Sequence, residues 1–129
     1  MRTLLLATLL ALAAGSDPGL DEPFSMKIGE TMSLEGAGLE LRFLDVPRDS
    51  RCPLDVSCIV AGEAHVVIQA VTEAGSSELV FKLPPKGSDE QVFEGFLLTV
   101  RALEPQTEEA RPIAAADFVA TLVVTASPE

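Results

Sequence analysis

From Leu39 to Thr125 the apolar residues fall on every second position in one short run after another, and that period confines the chain to half-buried β-strands. Leu39, Leu41 and Phe43 alternate with Glu40 and Arg42 in a strand over residues 39–46. Val66, Ile68 and Ala70 share a face in 64–72. Leu79, Phe81 and Leu83 do so in 78–83, and residues 73–76 between them read as a hairpin turn. Phe96, Leu98, Val100 and Ala102 mark a further strand, and Phe118, Ala120, Leu122 and Val124 the last. Shorter runs at 24–28, at 31–34 and around Val92-Phe93 bring the total to seven or eight short strands, separated by Gly and Pro clusters. Past the first 15 residues, helical periodicity is limited to one turn at 113–117. The pattern predicts an all-β fold, a single antiparallel β-sandwich over residues 24–126, immunoglobulin-like in architecture. The core Trp of true immunoglobulin domains is missing, so the likeness is one of architecture alone. All six aromatics are Phe, a side chain with no polar handle, and belong to the core.

The N-terminus sets the compartment. Met1-Arg2-Thr3 precedes an apolar run over residues 4–14 that only Thr8 interrupts, and small residues close it at Ala11, Ala13 and Gly15. This three-part pattern reads as a secretory signal peptide over residues 1–15. The run is shorter than the roughly 20 residues that span a bilayer, so no membrane span is expected. Residues 16–23, rich in Pro, Gly and acids, read as a flexible linker. The expected location is exported, periplasmic or extracellular. The net charge of −11 repels nucleic acid and anionic membranes, which excludes both as partners.

Export permits a disulfide, and the two cysteines, Cys52 and Cys58, leave none over. A helix between them would separate their Cα atoms by about 9 Å, and an extended chain by about 20 Å. A bridge needs them within about 7 Å. Residues 52–58 must then form a compact turn, which Pro53 favours with its fixed φ.

Leu39–Val46, Asp49-Ser50-Arg51-Cys52-Pro53, Val56, Cys58 and Ala61-Gly62-Glu63-Ala64 together resemble the signature of a group of small exported bacterial proteins and lipoproteins. In that group a strand ends in D-S-R-C-P-x-x-V-x-C-x-W-A-G-x-A. The run from Phe96 to Pro105 and the closing Ala120-Thr121-Leu122-Val123-Val124 resemble its C-terminal strands. The resemblance covers most of the exported part of the chain. It implies an exported β domain with a bridged loop, and no particular mechanism. The chain departs from the group at Val60, where Trp is frequent, and in having no lipid-attachment cysteine after the signal.

His65 is the only histidine, and no G-x-S-x-G, H-E-x-x-H or phosphate-binding glycine loop is present. No catalytic residue, metal site or cofactor is expected. The expected function is an exported, non-catalytic binding module for a protein, peptide or glycan. Its contact surface is the bridged loop, with Asp49, Arg51, Pro53, Asp55 and Glu63 as candidate residues. Two alternatives stay open. Arg51 on a stiff turn suits a protease inhibitor, because rigidity lowers the ordering cost of binding. Cys52, Cys58, Glu63 and His65 offer a zinc set, and Asp45, Asp49, Asp55 and Glu63 a calcium set.

Overall fold

Alternation in the sequence becomes alternation in burial. Every second side chain from Ala64 to Ala70 is buried and the ones between are half-buried. The computed structural model describes residues 18–107 and 112–127. The signal peptide expected over residues 1–15 and the first part of the 16–23 segment lie outside the described residues. Eight strands follow in chain order: β1 (Phe24–Lys27), β2 (Thr31–Leu34), β3 (Leu39–Asp49), β4 (Ala64–Thr72), β5 (Gly75–Leu83), β6 (Asp89–Phe93), β7 (Phe96–Glu104) and β8 (Val119–Ala126). They form two four-stranded antiparallel sheets, ordered β1-β8-β7-β6 and β2-β3-β4-β5. The expected β-sandwich is therefore the fold. Its second sheet is a plain meander, and β1 crosses to the far sheet to pair with β8. The single helical turn expected within 113–117 is a 3-10 turn, Ala115–Asp117.

The core lies between the sheets. Leu34, Leu41, Phe43, Val66, Ile68 and Phe81 come from one, and Met26, Leu98, Val100, Leu103 and Leu122 from the other, all at most 2 % exposed. Of the six Phe residues, four are buried, and Phe24 and Phe96 pack half-buried against the cluster. Each fully buried aliphatic or aromatic side chain contributes about 1.5–3 kcal/mol through removal from water.

Three local departures from the sequence reading have physical causes. The β4–β5 turn is tighter than residues 73–76, since Thr72 pairs with Gly75 and leaves only Glu73 and Ala74 in the turn. β3 runs on to Asp49 because Pro47, which has no N–H to give, falls in an irregular stretch between Asp45 and Arg48. In β7 the register shifts between Val100 and Ala102, so Arg101 is an extra, bulged residue and Leu103 takes the buried position.

At one corner of the sandwich, side chains of β6 reach across to the outer backbone of β5. The Lys82 N–H donates to Asp89 Oδ2 at 2.8 Å, and Gln91 Nε2 donates to the Val80 carbonyl. Near the opposite corner, the Gly29 N–H donates to the Phe43 carbonyl at 2.8 Å and Phe43 N–H returns a bond to the Glu30 carbonyl at 3.1 Å. The Asp21 N–H donates to the Val124 carbonyl at 2.8 Å.

Candidate functional site

The loop between β3 and β4 continues their ladder before it opens. The Ser50 N–H donates to the Glu63 carbonyl at 2.9 Å and the Cys52 N–H to the Ala61 carbonyl at 2.8 Å. Ser50 Oγ adds a bond to the Glu63 carbonyl at 3.0 Å and accepts from the Glu63 N–H at 3.2 Å. Beyond this neck, Cys52 and Cys58 are bridged, with Cα atoms 5.9 Å apart. The compact turn expected from their spacing is there, and Pro53 opens it, with the Val56 N–H donating to the Pro53 carbonyl at 3.4 Å.

Arg51 locks this loop to the other sheet. Its Nε donates to Asp49 Oδ1 at 2.8 Å and its Nη2 to Asp49 Oδ2 at 2.7 Å, a bidentate pair. Nη1 donates to the Leu103 carbonyl at 2.9 Å and Nη2 to the Pro105 carbonyl at 3.1 Å. Thr107 completes the seam: its Oγ1 donates to the Arg51 carbonyl at 3.2 Å, and its own carbonyl accepts from the Leu54 N–H at 2.8 Å. The loop that leaves β3 is thus fastened along the chain that leaves β7.

This arrangement corrects the expected contact surface. Arg51 is only 4 % exposed, so it cannot enter a protease cleft, and the inhibitor reading fails on burial. Asp49 is turned inward with it, its side chain 14 % exposed. Both belong to the scaffold of the loop. Pro53 is half-buried and Asp55 exposed. Glu63 sits back at the neck, where its Oε2 accepts from His65 Nε2 at 2.6 Å. That hydrogen bond is the main reason the Glu63 carboxyl lies below its ordinary value; partial desolvation opposes it, and the charges of His65, Lys82 and Arg48 add to it. The metal readings fail as well. Both cysteines are in the bridge, Asp49 is held by Arg51, and among the described residues no three His, Cys, Asp or Glu side chains converge where an ion would sit.

What the sequence reading passed over is the tip. Leu54, Ile59 and Val60 are 53 %, 103 % and 74 % exposed, so three large apolar side chains stand in water on one stapled loop. A break in the alternating pattern at Ile59-Val60 was the available signal, and the group resemblance marked position 60 alone. Among the described residues no helix is long and apolar enough to cross a membrane. No protein-family model, curated protein or solved structure matches the chain.

Proposed function

We infer that the chain is an exported, non-catalytic binding module that offers the apolar tip of its bridged loop to a protein partner. The observation that carries this reading is the exposure of Leu54, Ile59 and Val60 on a loop that a disulfide and the Arg51 seam hold still. Scattered apolar side chains on a surface need no explanation, but three large ones on a single stapled loop do. Fixing the loop beforehand removes most of the ordering cost that a free loop meets on binding. The Cys52–Cys58 bridge fits an oxidising compartment outside the cytosol.

Chemistry favours a protein over the other partner classes. The tip presents no cation, and the chain carries −11 overall, which opposes nucleic acid and anionic lipid. A glycan would call for an aromatic platform, yet Trp and Tyr are absent, and no Phe is exposed. An apolar cleft on a protein is the natural complement of aliphatic side chains.

The test is photo-crosslinking from Ser57 in the exported fraction, comparing the wild type with Ile59→Ser/Val60→Ser. Loss of the crosslinked partners at an unchanged thermal midpoint supports the reading. An unchanged set of partners refutes it.

A further inference from the structure

Nine Lys and Arg residues serve the whole chain against 20 Asp and Glu, yet three of them, Arg51, Lys86 and Arg101, line one recessed cavity of about 160 Å³ beside the β7 end. The cavity lies between the turn after β5 and the end of β7, with Arg51 of the bridged loop in its wall, and Leu54, Ile59 and Val60 do not line it.

Each of the three cations is placed there by an unusual piece of local structure. Arg101 is the bulged residue of β7, and bulges commonly re-aim a side chain beside a functional site. Lys86 occupies the third position of the turn Pro84-Pro85-Lys86-Gly87, which closes with the Gly87 N–H donating to the Pro84 carbonyl at 3.0 Å. Its φ of +57° belongs to the left-handed region, where Gly or Asn is the usual choice at this turn position. A lysine there stores strain of the kind that gathers at ligand clamps. Arg51 forms part of the wall with its side chain 2 % exposed.

One buried donor of Arg51 is left over by the protein's own acceptors among the described residues. An arginine has five N–H donors. The bonds to Asp49, Leu103 and Pro105 use both N–H groups of Nη2, the one on Nε and one on Nη1, which leaves one Nη1 donor without an acceptor among the described residues. Lys86 and Arg101 are exposed to solvent at the cavity, and their side chains have no hydrogen-bond or ion-pair partner among the described residues, so both are available to an acceptor there. Leaving a buried donor unmet is costly, and an acceptor in the cavity would remove that cost.

Charge and size narrow the ligand. Asp49 balances Arg51. Glu104, which also lines the cavity, balances one of the remaining two cations in net charge, so among the described lining residues one positive charge is in excess. At roughly 30 Å³ per water, the volume is that of about five waters, room for an acid of a few heavy atoms. We propose that this cavity binds a small monocarboxylate, its two oxygens taking donors from Lys86, Arg101 and Arg51. Gln106, also in the lining, supplies a further polar contact for a substituent on the acid.

The proposal is independent of the apolar tip, and its test separates the two. Acetate and inorganic phosphate are titrated into the exported protein at low ionic strength, with amide chemical shifts as the readout. Saturable acetate shifts at Lys86, Gly87 and residues 101–106 are expected, with phosphate binding more weakly because Glu104 repels its second charge. Arg101→Gln and Lys86→Gly are each expected to weaken acetate by about tenfold, the loss of one charge-assisted bond. Lys86→Gly should do so without lowering the thermal midpoint, since Gly relieves the positive φ. Ile59→Ser/Val60→Ser should bind acetate as the wild type does. Absence of saturable shifts, wild-type affinity in the two pocket variants, or phosphate binding tighter than acetate would each overturn the assignment.

Discussion

A β-carbon added to Gly62 would lie 1.8 Å from the carbonyl oxygen of Ser50. The two chains that form the neck of the bridged loop therefore pass each other at a distance that only glycine allows, and the φ of +74° at Gly62 makes the same demand. Gly62→Ala is expected to lower the unfolding free energy by upwards of about 3 kcal/mol, through clash and backbone strain together. Gly29 is the control, with φ +95° and open space around it. Gly29→Ala should cost only the strain, about 1–2 kcal/mol. Urea denaturation of the two variants measures the gap, and equal losses would mean that the close approach is not what fixes Gly62.

Removing the Arg51 side chain leaves the Asp49 carboxylate without its guanidinium and takes one donor from each of the Leu103 and Pro105 carbonyls. Arg51→Ala should cost about 3–5 kcal/mol, the range for breaking a buried ion pair from one side. Arg51→Lys should recover little of it, because an ammonium cannot keep the bidentate contact while reaching both Leu103 and Pro105. Full recovery with lysine would reduce the role of Arg51 to charge alone.

The disulfide should matter less to the fold than Arg51 does. It closes a very short ring, worth about 2 kcal/mol by loop entropy. The neck is held independently by the bonds from Ser50 and Cys52. Cys52→Ser/Cys58→Ser is expected to keep the amide chemical shifts of both sheets while speeding amide exchange at residues 54–60. Loss of the folded state would show that the hydrogen bonds of the neck are insufficient without the bridge.

Glu63 gives stability a dependence on pH. Its folded-state carboxyl is held below the ordinary value of 4.5, chiefly by the His65 hydrogen bond. A lowered folded value means that the unfolded chain binds more protons in this range. Its contribution is present above the unfolded value and fades as pH falls through the folded one. Denaturation midpoints measured between about pH 3 and 6 should fall less steeply for Glu63→Gln than for the wild type. Parallel curves would remove Glu63 as a cause.

Strands were legible wherever one face is buried, because a period of two is then written into the side chains. Val66, Ile68, Leu122 and Val124 face inward as their spacing requires. The pattern fails at Ala102 because a bulge inserts a residue, and nothing in the identity of Arg101 announces that. The bridge was legible from two cysteines and an N-terminal run with the pattern expected of an export signal. The fate of Arg51 was not, since its acceptors Leu103 and Pro105 lie more than 50 residues away along the chain. Backbone carbonyls leave no mark in a sequence, so an inward arginine and an outward one look alike there. The same holds for the cavity, whose lining is drawn from three separate stretches.

The corner where Asp89 and Gln91 reach β5 bears on how copies of this protein meet. β5, with nine residues, would otherwise be an inviting flank for strand addition by a second chain. Its Lys82 donor and Val80 acceptor are already engaged by side chains of the same molecule. The other flanks are short templates for an incoming strand, four residues each at β1 and β2 and five at β6. Crowded molecules of this protein thus find little backbone to recruit, and fibre growth is discouraged by two side chains that take no part in the core.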